Sequence, residues 1–243
     1  MKIYLDNAAT TKMTKTAIAA MLPYMDTIYG NPSSLHSSGQ AAAEALAEAR
    51  QRIAQCIGAS PEGILFTSGG SESDNQALLS AAQIGQRKGK RHIISTAFEH
   101  HAVLHTLKKL EKEGFEITLL DVHENGIVLP EQVAAAIRED TCLVTVMYAN
   151  NEIGTVQPIE KIGEICRAKH VLFHTDAVQA AGHLEIDVQK QNIDMLSLSA
   201  HKFHGPKGIG ILYAEEGIPL TPLIEGGAQE SGRRAGTENI PAV

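Results

Sequence analysis

The stretch ILFTSGGSESDNQALLSAAQIGQ, residues 64–86, decides the fold class of this chain. It opens with a short apolar run, Ile64–Thr67, which is typical of a buried β-strand. Two glycines follow, and Ser71–Asp74 has the pattern of a capping box that begins a helix. A strand, a tight turn and a helix in this order form one half of a βαβ unit.

The same alternation continues through the rest of the chain. Further strands are predicted at His92–Ser95, Glu116–Asp121, Leu143–Tyr148, Val171–Thr175, Met195–Ser199 and Ile209–Tyr213. Further helices are predicted at Ser38–Ile57, His100–Glu113, Pro130–Glu139 and Ile159–Lys169. The order predicts an α/β fold with a mostly parallel central sheet and helices on both faces. Functional groups are expected just beyond the carboxyl ends of the strands.

Composition and charge exclude several classes of partner. The chain has 243 residues, of which 43% are hydrophobic, with a net charge of -7 and a pI near 5.9. An acidic chain argues against nucleic acid or an anionic membrane as the main partner. No apolar run approaches the ~18 residues of a membrane span. The N-terminus has no signal-peptide pattern and the three cysteines form no paired framework, so we expect a cytoplasmic protein with reduced thiols.

Two strand ends carry an amine and a carboxylate. Lys202 follows the strand Met195–Ser199, where burial in a crevice would lower its pKa and let it attack a carbonyl. Asp176 ends the strand Val171–Thr175, where a carboxylate would keep a pyridinium nitrogen protonated. Pyridoxal phosphate needs both groups, so together they indicate this cofactor. Taken alone, a surface lysine and a helix-capping aspartate are the plainer interpretations.

Other strand ends carry groups that the same cofactor would use. The Gly69–Ser71 turn offers backbone N–H groups at the start of a helix, which suits a phosphate. An imidazole of the pair His100-His101 would stack on a planar ring, and Asn151 and Gln179 would hydrogen-bond its phenolate oxygen. Each has a plainer interpretation as a solvated or turn-forming residue. His101 and His105 lie one helical turn apart, but no third ligand stands out, so no metal site is predicted.

Taken together, the motifs resemble those of the cysteine desulfurases, pyridoxal-phosphate enzymes of the class V aminotransferase group with the type I fold. The matching stretches are YLDNAATT from Tyr4, GNPSSLH from Gly30, FTSGGSESDN from Phe66, EHHAV from Glu99, NNEIGT from Asn150, HTDAVQAAG from His174, SAHKFHGPKGIG from Ser199 and RAGTEN from Arg234. The resemblance implies conversion of L-cysteine to alanine and an enzyme persulfide, whose sulfur passes to an acceptor or scaffold protein for iron–sulfur cluster or thio-cofactor assembly. A selenocysteine lyase-like enzyme and a non-catalytic fragment that binds cofactor or dimerises are the alternatives.

The resemblance also implies a role for each site residue. Lys202 would form the Schiff base, Asp176 would bind the ring nitrogen, and His101 would stack on the ring and move protons. The phosphate would be held by Gly70, Ser71, Ser199 and His201. The phenolate oxygen would be contacted by Asn151 and Gln179. Thr237 would reach the phosphate of the partner subunit in a homodimer, and the loop 31–36 would line the substrate entrance.

The resemblance divides the protein into domains. Residues 14–243 would form the large cofactor-binding domain, and residues 1–13 would pack with a small domain that this chain lacks. The last residues, Thr237–Val243, look like the start of a helix, so a longer parent chain is expected. In the family, the sulfur-carrying cysteine and a substrate-binding arginine lie beyond residue 243. Cys56, Cys142 and Cys166 are expected to be packed in helices or strands, so the chain alone is expected to be incomplete for turnover.

Overall fold

The centre of the fold is a seven-stranded β-sheet in a computed structural model that describes residues 3–243. The strands are β1 (Ile64–Thr67), β2 (His92–Thr96), β3 (Glu116–Leu120), β4 (Thr141–Thr145), β5 (Leu172–Asp176), β6 (Met195–Ser199) and β7 (Gly210–Ala214). Their order across the sheet is β1-β7-β6-β5-β4-β2-β3. Within the described residues, β7 alone runs antiparallel to its neighbours. The predicted mostly parallel sheet is therefore confirmed.

Helices cover both faces of this sheet, which explains why its central strands β4, β5 and β6 are almost entirely buried. The helices are α1 (Lys15–Asp26), α2 (Ser37–Cys56), α3 (Gly70–Arg87), α4 (His101–Lys112), α5 (Pro130–Ala136) and α6 (Ile159–Ala168). One apolar core lies under α3 and α4, where Leu78 and Leu107 pack with Leu143 of β4. The other lies under α2, α5 and α6, where Ile162 packs with Phe173 of β5. Across the range 3–243, no helix has the length and apolar character to cross a bilayer.

The start of α3 differs from the prediction. Its N-cap is Gly69, and no side chain of the described residues caps it, so the capping box at Ser71–Asp74 was wrong. Glu72 instead turns back and accepts a hydrogen bond from the Ser68 N–H at 2.7 Å, while Arg234 Nε donates to its other oxygen at 3.0 Å. The first N–H groups of α3 therefore remain available to another partner.

Two predicted helix ends also differ. Helix α5 stops at Ala136, three residues before the predicted Glu139, and the chain turns there into β4. The expected helix start at Thr237–Val243 is a single 3₁₀ turn, Ile240–Ala242. Ile240 and Ala242 of this turn are buried in the apolar core under α2, α5 and α6. Both differences lie at element ends, where the last turn is weakly specified by sequence.

A buried ion pair joins α2 to the C-terminal part of the chain. The Arg50 guanidinium donates to both carboxylate oxygens of Glu230, at 2.5 and 3.0 Å, and the Phe66 N–H donates to one of them at 3.0 Å. The Glu230 side chain is only 2% exposed. Its charge is therefore balanced inside the protein and not by water.

Arg50→Met is expected to destabilise the chain by about 3 kcal/mol, because it leaves the Glu230 charge buried without a partner. Urea unfolding followed by circular dichroism measures this change. The matched control is Arg52→Met on the same helix, which removes a solvent-exposed pair with Glu48 and should cost under about 0.5 kcal/mol. Equal effects of the two substitutions would contradict the structural role given to the Arg50–Glu230 pair.

Candidate active site

A cavity of about 420 Å³ lies beyond the carboxyl ends of β5 and β6, beside the start of α3. Ten residues were predicted to form the site, and eight of them line this cavity: Gly70, Ser71, Asn151, Asp176, Gln179, Ser199, His201 and Lys202. These residues come from four separate stretches of sequence. They meet because parallel strands present their carboxyl ends at one edge of the sheet.

Lys202 sits in the short turn that follows β6. Its Nζ atom donates hydrogen bonds to the carbonyl oxygens of Ala8 and Ala9. Burial lowers the pKa of the Lys202 amine, although the negative charges of Asp176 and Asp6 oppose that shift. An amine with a lowered pKa carries a free electron pair more of the time, which suits attack on a carbonyl.

Asp176 is the last residue of β5 and is 5% exposed. Its Oδ1 atom accepts a hydrogen bond from the Val178 N–H at 2.9 Å. Burial raises the pKa of this carboxyl, and the Val178 hydrogen bond and the charges of His100 and Lys202 oppose the shift. A buried carboxylate in this position stabilises a cation that binds next to it.

The start of α3 forms an anion-binding cradle. Gly70 and Ser71 line the cavity. A Cβ atom at Gly70 would lie 2.7 Å from Val178 Cγ2, and one at Gly210 would lie 2.5 Å from the Gly69 carbonyl carbon. Glycine at these two positions thus allows the backbone to approach closely, and the uncapped N–H groups at the helix start are available to bind an anion.

The two adjacent histidines have different surroundings. His100 lines the cavity, and its Nδ1 atom accepts a hydrogen bond from the Ala102 N–H at 3.1 Å, which caps α4. His101, the predicted ring-stacking residue, is the first residue of α4 and is not part of the cavity lining. Its ring lies 5.3 Å from that of His105, measured between centroids. The geometry therefore favours His100 over His101 as the imidazole of this site.

Two further predicted elements lie elsewhere. Thr237 lines a smaller, separate cavity with Thr67, Ser68 and Arg234, so its predicted role toward a partner subunit stays a prediction. In the loop 31–36, the His36 Nδ1 atom accepts a hydrogen bond from the Gly39 N–H at 3.3 Å and caps α2. No residue of this loop lines the main cavity in the described part of the chain.

The N-terminal segment covers the site. The Thr11 N–H and hydroxyl both donate to the His201 carbonyl at 2.8 Å. The Gln179 Nε2 atom donates to the Ala8 carbonyl at 3.0 Å, and Asp6 and Ala9 also line the cavity. Residues 1–13 were expected to pack with a further domain, and these contacts with the cavity were not predicted. Residues 1 and 2 lie outside the described part of the chain.

The cysteines are only partly as predicted. Cys142 and Cys166 are buried, and burial raises the pKa of Cys142 to about 11 and that of Cys166 further. Cys56 ends α2 and is exposed, so its prediction as packed was wrong. It lies beside a different, apolar cavity that does not include Lys202. None of the three lines the cavity that contains Lys202.

Comparison with known proteins identifies the family. The sequence profile of the family described as aminotransferase class-V matches residues 3–243 of this chain. The chain belongs to the class V aminotransferase family. Enzymes of this family depend on pyridoxal phosphate. The match runs through all the cavity-lining stretches described above.

Several curated members of the class V aminotransferase family are similar along the whole chain. The cysteine desulfurase IscS of Methanosarcina thermophila is 54% identical over 241 residues, which cover 99% of this chain and 59% of that protein. The putative cysteine desulfurase IscS 1 of Bacillus subtilis is 54% identical over 100% of this chain and 64% of that protein. The chain thus spans about three fifths of the length of these relatives.

Solved structures from the same group have the same fold. A NifS-like protein aligns with a TM-score of 0.96 and 43% identity, over 100% of this chain and 67% of that chain. A structure described as SspA in complex with cysteine aligns with a TM-score of 0.95 and 44% identity, over 99% of this chain and 70% of that chain. The type I fold implied by the sequence motifs is therefore confirmed.

Proposed function

We propose that this chain is the pyridoxal-phosphate-binding part of a cysteine desulfurase, which converts L-cysteine to alanine and a protein-bound persulfide. The observation that carries the proposal is the meeting of Lys202, Asp176 and the start of α3 in one cavity. The choice of reaction is supported by sequence identities of 50 to 54% between this chain and proteins named cysteine desulfurases.

The residues of the cavity fit each part of this cofactor. The uncapped start of α3, at Gly70 and Ser71, suits the phosphate, and Ser199 and His201 lie on the same cavity. Asn151 and Gln179 offer side-chain amides to the phenolate oxygen. Asp176 is the acid for the ring nitrogen, and Lys202 is the amine for covalent attachment. When bound, pyridoxal phosphate draws electrons away from the α-carbon of an amino acid.

Three further tasks fall to residues of this chain. The Lys202 amine, with its lowered pKa, takes a proton from the α-carbon of bound L-cysteine. The His100 imidazole stacks on the ring and moves protons, a role that the resemblance gave to His101. Ala8 and Ala9, which accept hydrogen bonds from Lys202 Nζ, lie over the site and limit the access of water.

The wider assignments follow from the same resemblance. We propose that residues 14–243 are the large domain, that residues 1–13 pack with a further small domain, and that two copies form a homodimer in which Thr237 reaches the partner's phosphate site. A sulfur-acceptor or scaffold protein would take the persulfide sulfur, in the cytoplasm. A selenocysteine lyase-like activity is the alternative.

His100→Ala is expected to remove the ring-stacking group, weakening cofactor binding and slowing proton transfer by about 10²-fold. His101→Ala is the matched control, because its side chain lies on the same helix start but outside the cavity. The two variants are compared by fluorescence titration with pyridoxal phosphate and, in the chain extended to the full length of its relatives, by the rate of alanine formation. A larger loss in His101→Ala would return the role to His101.

The reaction itself is tested in a version of the chain extended to the full length of its relatives. Supplied with pyridoxal phosphate and L-cysteine, it is expected to form alanine and, with a thiol present, sulfide in equal amounts. L-selenocysteine is assayed in parallel. A strong preference for L-selenocysteine would support the alternative, and the absence of alanine from both substrates would contradict the proposed function.

A further inference from the structure

A second buried carboxyl lies behind Asp176. Asp74, on the first turns of α3, lines the same cavity and is 1% exposed. Its Oδ1 atom is fully buried and has no hydrogen-bond partner among the described residues. Ligand atoms of Asp74, Asp176 and His100 lie within 4.8 Å of one another. Two carboxyl groups this close in a buried site do not both ionise without a compensating cation.

The neighbouring imidazole does not supply that cation. His174 Nε2 lies 3.7 Å from Asp74 Oδ1, which is too long for a hydrogen bond. Both ring nitrogens of His174 form hydrogen bonds with hydroxyl groups, Nδ1 with Thr145 at 2.8 Å and Nε2 with Ser197 at 3.0 Å. Burial lowers the pKa of His174 to about 3, so the ring is neutral. The 3.7 Å contact is therefore not an ion pair.

The rest of the surroundings also favour a proton on the pair. The titratable groups nearest to Asp74 are Glu99, His100, His174 and Asp176. The same cavity is also lined by Asp6, Glu152, His201 and Lys202. Burial raises the pKa of Asp74 well above its usual range, and the negative charge of Asp176 raises it further, against a smaller effect of the Ser197 hydroxyl. Burial also raises the pKa of Glu99 to about 8. The positive charges of His100 and Lys202 oppose the rise in the pKa of Asp176, whereas no positive charge of the described residues opposes the rise in the pKa of Asp74.

We propose that Asp74 and Asp176 share one proton before the cofactor binds, and that this proton moves to the pyridine nitrogen when the cofactor enters the cavity. The inference rests on the proposed function, since it takes the ring nitrogen to face Asp176. The transfer breaks one carboxyl O–H bond and forms one N–H bond. It leaves two carboxylates facing the new ring cation and Lys202, so the charge of the site is unchanged and no proton comes from solvent.

Asp74 is therefore a positioning residue that acts through Asp176. Its function is to store the proton that makes the ring a cation. Without it, an ionised Asp176 would still bind the ring, but the proton would have to come from water. The two cases differ in the number of protons that cofactor binding takes from solution, which is a measurable quantity.

The test uses pyridoxine 5′-phosphate, which has the ring nitrogen and phosphate but no aldehyde to react with Lys202. Calorimetry in buffers of different ionisation enthalpy, at a pH where the free ring nitrogen is unprotonated, counts the protons taken up. We expect the wild-type chain to take up almost none and Asp74→Asn to take up about one proton per site. Asp140→Asn, a surface carboxyl bonded to Arg138, is the matched control and should behave as wild type.

The possible results separate the shared proton from the proposed function. Equal proton uptake by wild type and Asp74→Asn would overturn the shared proton while leaving cofactor binding intact. No binding of the ligand to folded wild-type chain would overturn the proposed function and this inference with it. If Asp74→Asn fails to fold, difference infrared spectroscopy of the wild type decides instead. A carboxylic acid C=O band that disappears on ligand binding supports the proposal, and no such change contradicts it.

Discussion

Lys202→Ala is expected to abolish covalent attachment of pyridoxal phosphate and the visible absorbance band that accompanies it. The reason is that Nζ of Lys202 is the amine placed in the cavity with a lowered pKa and next to Asp176. In a version of the chain extended to the full length of its relatives, the rate of alanine formation should fall by at least about 10²-fold, because both the attachment point and the proton acceptor are lost. Absorbance after gel filtration and an alanine assay measure the two effects.

Lys207→Ala is the matched control for this substitution. Lys207 is an exposed lysine five residues further along the same glycine- and proline-rich loop, and it is not part of the cavity lining. It should keep the band and the rate of the wild type. A retained band in Lys202→Ala together with its loss in Lys207→Ala would reverse the assignment.

Asp176→Ala is expected to weaken cofactor binding by about 3 kcal/mol, which is roughly a hundredfold in Kd. The ring nitrogen loses the buried carboxylate that stabilises its positive charge, so the bound ring should also lose its proton at a lower pH. Fluorescence titration gives the Kd, and absorbance across a pH series gives the pKa of the bound ring.

Asp176→Glu separates charge from position. The longer side chain keeps the charge but moves it from the place set by the end of β5 and the Val178 N–H. We therefore expect only partial rescue of the Kd. Full rescue would mean that the position of the carboxylate is unimportant, and an unchanged pKa of the bound ring in Asp176→Ala would contradict its pairing with the ring nitrogen.

The fold was predictable because its strands are short, mostly apolar runs separated by clear turn signals. Strands β1 and β6 were predicted with their observed bounds, and the others within a few residues. Asp176 and Lys202 lie at or just beyond the carboxyl ends of two parallel strands, and this alone predicts that they lie at the same edge of the sheet. Eight of the ten predicted site residues therefore meet in one cavity, although they are separated by more than a hundred positions in sequence.

The remaining details depend on side-chain direction, which periodicity does not give. His100 and His101 are adjacent and chemically identical, and a helix that begins between them turns successive side chains about 100° apart. Asp74 was interpreted as part of a capping box, because a polar residue near a helix start has that plainer use. That it points into a buried pair with Asp176 depends on how α3 packs across β5 and β6, a tertiary contact that local sequence does not specify.

The N-terminal segment illustrates the same limit. Its motif was visible in the sequence, but its contacts with His201 and Lys202 join residues about 190 positions apart. Such contacts are set by the sheet and its loops together and not by the pattern of the segment itself.

The central claim is that Lys202 holds the cofactor in this cavity, and the site of covalent labelling tests it most directly. The chain is incubated with pyridoxal phosphate, reduced with borohydride, digested and mapped by mass spectrometry. We expect one label per chain, on the peptide that contains Lys202, and its competition by pyridoxine 5′-phosphate. A label on Lys207, or one spread over several surface lysines and unaffected by the competitor, would contradict the account.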